Sequence, residues 1–204
     1  MKKTLALAGL TMLGGMLATP AMAQDAPAPA APTAPRAAND HSGFYAGAGI
    51  NLYFVDKGDA AQGMPIEFID QPSPGAFVGR LGYAFNDYVA LEVEAGVGGA
   101  DQKFEGSGIN AEIGIETPLS AHVVGTMPYG QGGAYLLGKI GYASAKLTRE
   151  MNGAGFEDLT LGGVSLGIGG GIRSETWDFR MEYSFISGGD ANSGVLGMTA
   201  LRRF

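Results

Sequence analysis

The chain has 204 residues, with 35 glycines, no cysteine, 16% charged residues and a formal net charge of −7. The length fits one domain; the absence of thiols excludes disulfides and thiolate metal sites; and the acidic balance argues against nucleic acid as a partner, since phosphate binding needs basic patches. So many glycines also speak against long helices, where each costs about 1 kcal/mol relative to alanine, and suit close packing in a narrow barrel.

Lys2 and Lys3 open the chain, and residues 5–17 form an uncharged, mostly apolar run. Ala21-Met22-Ala23 then supplies small residues at the two positions a signal peptidase reads. Residues 1–23 are therefore expected to be a secretory signal cleaved after Ala23, with an uncleaved membrane anchor as the alternative. Cleavage removes two lysines and no acid, taking the formal charge from −7 to −9. Residues 24–42 follow as an Ala/Pro-rich tract that cannot bury a core, read as an extended periplasmic tether. The barrel domain is expected over residues 43–204.

No later stretch is apolar and long enough for a membrane-spanning helix. The repeated signal is instead period two. In the first strand Phe44, Ala46, Ala48, Ile50, Leu52 and Phe54 share an apolar face, opposite small or polar residues and Tyr45 and Tyr53. The second strand, 75–85, sets Phe77, Leu81, Tyr83 and Phe85 against Arg80 and small residues, and Asn86-Asp87 reads as a tight turn. The third, 88–97, opposes Val89, Leu91, Val93 and Val97 to Glu92 and Glu94. A weaker fourth strand, 118–127, alternates Leu119, Ala121, Val123 and Met127 with Ser120, His122, Val124 and Thr126, and 128–130 turns the chain. The fifth, 134–147, carries Lys139 opposite Leu136, Ile140 and Tyr142; the sixth, 163–173, alternates aliphatic residues with Ser165 and glycines. After a turn at 174–176, the seventh strand is the clearest: Trp177, Phe179, Met181, Tyr183 and Phe185 on one face, Asp178, Arg180 and Glu182 on the other. The eighth runs from 193 to 204.

The connections near 86, 130 and 175 are short, while 56–73, 98–117 and 148–162 read as long loops and 188–192 as a shorter one. That alternation is what an up-and-down membrane barrel with periplasmic turns and external loops requires. The expected fold is all-β, an eight-stranded antiparallel up-and-down transmembrane β-barrel. A soluble barrel of the lipocalin type would also alternate. Three features separate the two. Charge collects on one parity class, at Arg80, Glu92, Glu94, Lys139, Asp178, Arg180 and Glu182, and the opposite class is apolar; a charge at mid-depth on the lipid face costs about 2–4 kcal/mol. Aromatic residues fall near predicted strand ends, at Phe44, Tyr83, Phe85, Trp177 and Phe204 toward the turns and Phe54, Phe77, Tyr142 and Phe185 toward the loops, as interfacial girdles would. The chain also reads to Phe204 at the close of a predicted strand.

Residues 43–204 resemble the OmpA-like and OmpX-like small outer-membrane β-barrels of the porin family. The resemblance rests on an ordered set: Gly43-Phe44-Tyr45-Ala46-Gly47, Tyr88-Val89-Ala90-Leu91-Glu92-Val93-Glu94, Lys139-Ile140-Gly141-Tyr142, Arg180-Met181-Glu182-Tyr183 and Phe204. It implies residence in the outer membrane of a Gram-negative bacterium. It also implies contact with outer-membrane lipid and lipopolysaccharide, passage through periplasmic chaperones and the outer-membrane assembly machinery, a monomeric state, and Phe204 as part of the assembly signal. The family usually places a second aromatic or apolar residue two positions earlier; here Arg202 stands there, leaving the register of the last strand open.

The seven charged residues are expected to meet in the lumen as an ion-pair network. Two readings follow: a plug whose charges neutralise one another, or a gate on a narrow path for small ions. Ser120 and His122 share a face, but that face is the lumen, and a lipid A-acting hydrolase would have to present its nucleophile to the membrane. His41-Ser42 lies in the tether, and two histidines do not make a His-rich metal site. The Gly-rich run 167–171 lacks the lysine and helix of a phosphate loop. The acids of the long loops (Asp56, Asp59, Glu67, Asp70; Asp101, Glu105, Glu112, Glu116; Glu157, Asp158) match no EF-hand spacing; they suit divalent cations beside lipopolysaccharide, a receptor contact, or plain solubility. No cofactor or metal is expected. The functional expectation is a non-enzymatic barrel for envelope integrity or surface interaction, with a narrow porin-like pore as the alternative.

Overall fold

The computed structural model describes residues 42–56, 73–106, 109–130 and 132–204. The expected signal and tether, with Ala21 and Ala23, lie outside the described residues. Ten strands form: β1 Gly43–Val55, β2 Gly75–Ala84, β3 Val89–Ala100, β4 Gln102–Gly106, β5 Ile109–Pro128, β6 Ala134–Met151, β7 Ala154–Gly155, β8 Leu159–Arg173, β9 Trp177–Gly189 and β10 Ser193–Arg203. Eight of them close a ring in the order β1-β2-β3-β5-β6-β8-β9-β10, with β10 returning to β1 and every pairing antiparallel. Closure leaves no open edge in the ring, which hydrocarbon demands because it offers backbone groups no other partner. The expected eight-stranded barrel is the fold.

Parity is as the alternation predicts. Phe179, Met181 and Leu91 face outward, 58%, 53% and 47% exposed, while Arg180 and Glu92 face inward at 4% and 2%. The outer rows carry the aromatic residues: Phe44 packs edge-on against Tyr83 at 4.8 Å between ring centroids, and Trp177 stacks on Phe179 at 6.3 Å. The short turns close at one end, together with Gly43 and Phe204, which fixes that end as periplasmic. There Asn86 Oδ1 accepts from the amides of Tyr88 and Val89, and Ser174 Oγ accepts from the amide of Trp177. The last strand has one register: Arg203 opposite Tyr45 and Arg202 opposite Trp177.

Two loops expected at 98–117 and 148–162 are instead largely strand. β5 begins at Ile109 and β6 continues to Met151, so their hairpin pairs well past the barrel ring, with β4 added along β5 and β7 along β6. The reason is a bulge. Thr117 takes φ 42° beside Pro118, and the β5–β6 register shifts between Glu116 and Leu119. An extra residue there flips the side chains. Below the bulge His122 and Val124 point inward; above it Ala111, Ile113 and Ile115 do, with the opposite parity. The turn after β6 is Asn152-Gly153, both at positive φ (50° and 77°), as a tight hairpin with two left-handed residues requires.

The interior is layered. A periplasmic apolar cluster contains Tyr45, Val124, Tyr135, Leu137 and Leu201. A larger cluster fills the extracellular mouth, where Tyr53 and Val55 meet Ile113, Ile115, Leu147, Leu161, Ile186 and Val195. Polar and charged side chains occupy the space between them.

Candidate functional site

The inward parity of β2, β3, β6 and β9 brings all seven predicted charged residues into one lumen network. Arg80 on β2 is its hub. Its Nη2 lies 2.6 Å from Glu94, its Nη1 2.7 Å from Glu182 and 3.5 Å from Glu92. Lys139 completes Glu182 at 2.6 Å. Arg180 pairs with Glu92 and stands 3.2 Å from Asp178. Each carboxylate thus meets at least one cation, which desolvated charges require.

The structure adds residues that the alternation alone did not mark. Tyr45 donates its hydroxyl hydrogen to Glu92 at 2.5 Å, Tyr135 donates to Asp178, and Asn51 donates to Glu94 at 2.8 Å. Arg173 stands 3.1 Å from Asp178, and Arg203 stands 3.9 Å from the same carboxylate. The guanidinium of Arg180 lies over the Tyr45 ring at 5.3 Å, and that of Arg173 over the Tyr135 ring at 4.5 Å. Two glycines make room for these rings: a Cβ at residue 82 would stand 2.3 Å from Cζ of Tyr45, and one at residue 171 would stand 2.7 Å from the Tyr135 hydroxyl oxygen. The signal for Tyr45 and Tyr135 was present in sequence, since both fall on the charged parity and not on the girdle parity. Arg173 shares the parity of Ser165 and could have been read the same way.

Between the network and the extracellular cluster lies a cavity of about 30 Å³, the size of a single water, lined on one side by Glu94, Lys139 and Glu182 and on the other by Tyr53, Ile186 and Val195. His122 also lines it and bonds Ser165 Oγ at 2.9 Å, not Ser120. Among the described residues no carboxylate hydrogen-bonds to that imidazole in the way the third member of a hydrolytic triad does. Among the described residues no three histidine or carboxylate side chains converge as metal ligands.

The loop acids divide. Asp59, Glu67 and Asp70 lie outside the described residues. Glu112 pairs with Lys103 at 3.3 Å, and Lys146 pairs with Asp158 at 2.6 Å and Glu116 at 3.8 Å, all on the exposed strand extension. The hydrogen bond and charge of Asp158 hold the Lys146 ammonium above its ordinary pKa. Exposed pairs of this kind contribute little to stability. On the extracellular side the described charges are nine acids (Asp56, Asp101, Glu105, Glu112, Glu116, Glu150, Glu157, Asp158, Asp190) against Lys103, Lys146 and Arg149. At the opposite end Phe204 is 77% exposed, with its amide bonded to the carbonyl of Phe44 at 3.0 Å.

Comparison with known proteins fits this geometry. The fold is similar to that of Ail, the attachment invasion locus protein of Yersinia pestis, in a crystal structure with the heparin analogue sucrose octasulfate: TM-score 0.54 and 17% identity, over 80% of this chain and 99% of that one. It is similar to Neisserial surface protein A, with TM-score 0.55 and 12% identity over 80% and 98% of the two chains. It is also similar to the outer membrane protein OprG from Pseudomonas aeruginosa, with TM-score 0.50 and 13% identity over 80% and 97%. A search of the curated proteins gives no match. Residues 11–204 match the family described as outer membrane protein beta-barrel domain. The chain therefore belongs to that family, and its place is the outer membrane of a Gram-negative bacterium.

Proposed function

We propose that this protein is a non-enzymatic, closed barrel that serves envelope integrity and surface interaction, and that its β4–β7 strand extension is the part it displays. The observation that carries this reading is the filled lumen. The charged belt is internally paired, and the apolar extracellular cluster sits above it. An ion entering from outside would have to shed its water among Tyr53, Ile113, Ile115 and Leu161, where nothing replaces hydration. The seven charged residues act as a plug, and this favours the closed barrel over a porin-like pore. Residues 1–23 serve as the export signal, cleaved after Ala23, and 24–42 as the tether. Phe204, exposed at the end of the closing strand, is read by the assembly machinery, and the protein works as a monomer.

The heparin analogue bound to Ail does not suggest a polyanion as the partner here. Among the described residues, nine acids against three bases at the extracellular end would repel one. A cationic surface, or lipopolysaccharide bridged by divalent cations, suits that charge better.

Planar-bilayer recording of the purified protein tests the closed lumen. The expected record shows no resolved single-channel steps at moderate voltage. Reproducible steps that scale with salt concentration would overturn the reading in favour of the pore.

A further inference from the structure

The outward rows of the membrane-spanning wall, residues 44–52, 77–85, 89–97, 119–127, 136–142, 164–172, 177–185 and 194–204, carry a single charge, on Arg202. Its position is defined on all sides. Arg202 is exposed and stands opposite Ala46 on β1 and Trp177 on β9. Its guanidinium lies 5.8 Å from the centroid of the Phe204 ring. The next residue, Arg203, bonds through its amide to the Thr176 carbonyl in the periplasmic turn at 2.9 Å, so Arg202 sits at the periplasmic edge of the wall. Every other arginine of the barrel wall faces carboxylates in the lumen, whereas no acid of the described residues lies within 4.0 Å of Arg202.

A second feature adjoins it. Toward the membrane centre from Arg202, along the same rows, lies an open groove of about 580 Å³. Small residues floor it at Ala48, Gly170 and Ala200, and Ile172, Phe179 and Met198 wall it. A fixed cation at the interface with an apolar groove running inward from it has the shape of one amphiphile, an anionic headgroup above an acyl chain. Guanidinium groups bind phosphate oxygens in pairs, and a cation near an anionic lipid surface is strongly favoured.

We propose that Arg202, with Trp177 and Phe204 beside it and the Ala48–Gly170–Ala200 groove below, is a binding site for an anionic phospholipid of the periplasmic leaflet. Among the described residues the acidic extracellular end offers the opposite leaflet no equivalent site. The proposal rests on the membrane location of the barrel and not on the closed lumen, so either can fail without the other.

Trp177 is the sole tryptophan of the chain and the register partner of Arg202, which makes it a local reporter. The full-length mature protein is folded into phosphatidylcholine vesicles containing a minority of phosphatidylglycerol, with bromine on the acyl chains of one lipid or the other. Wild type is expected to show Trp177 quenching by the brominated phosphatidylglycerol as though that lipid were enriched about fivefold over its bulk fraction. R202Q should reduce the quenching to the bulk fraction, R202K should retain most of it, and raised salt should weaken it. Heat-modifiable gel mobility checks that each variant is folded. Equal quenching in wild type and R202Q, or no preference for the anionic lipid in wild type, would overturn the proposal.

Discussion

Replacing Arg80 with methionine is expected to lower the free energy of unfolding by about 3–5 kcal/mol, the cost of leaving buried charges without their partner. The Arg80 guanidinium meets three carboxylates, Glu94 at 2.6 Å, Glu182 at 2.7 Å and Glu92 at 3.5 Å. Methionine fills part of the volume but returns none of that charge. Lys139 still holds Glu182 and Arg180 still holds Glu92, so the penalty falls hardest on Glu94, left with Asn51 alone. Two further variants locate the effect. E94Q should cost only about 1–2 kcal/mol, because Arg80 keeps its other glutamates and an amide still bonds. The double variant R80M/E94Q should cost less than the two single changes added together, because the second change removes the orphaned charge the first created. Urea unfolding in vesicles, followed through Trp177, measures all three. An R80M effect below about 1 kcal/mol would mean that water, not protein, solvates these glutamates, and the plugged lumen would fall with it.

The second large effect lies on the other face. M181R should cost about 2–4 kcal/mol, whereas the same change at Tyr88, exposed in the periplasmic turn, should cost about 0–1 kcal/mol. Met181 is the middle residue of the outward row of β9 and is 53% exposed on the protein surface. In water that exposure would make arginine harmless. In hydrocarbon the same exposure is what makes it expensive. The dependence on depth is therefore the signature, and urea titrations of the two variants in one lipid read it. Equal, small effects at both positions would be the behaviour of a water-exposed sheet.

The sequence was most legible where one physical rule governs every second residue. Along β9, Phe179 and Met181 against Arg180 and Glu182 announces which side meets lipid, because neither side can hold the other's residues cheaply. The seven lumen charges follow from that parity without any structural information. Arg203 and the upper barrel were harder. Arg203 could be placed only once β10 had a register, and Arg202 in the family's usual aromatic position obscured it. The extended β5–β6 hairpin was hidden by the extra residue at Thr117-Pro118. Past that point Ile113 and Ile115 have the parity of the lipid-facing Leu119 and Val123, yet they turn inward to close the mouth. A reading that stops where the alternation breaks sees only a long loop. The Asn152-Gly153 pair was the overlooked local sign that a hairpin stood there.

Because the chain has no cysteine, single cysteines can be placed at residues 91, 179 and 181 and spin-labelled without background. The comparison is between collisions with oxygen, which concentrates in hydrocarbon, and with a water-soluble nickel chelate. Labels at all three sites in the bilayer-embedded protein should be open to oxygen and shielded from the chelate, most strongly at residue 181. If the chelate reached them as freely as it reaches a label on the exposed Lys103, these side chains would lie in water, and the surface assigned here to lipid would not be the membrane-facing one.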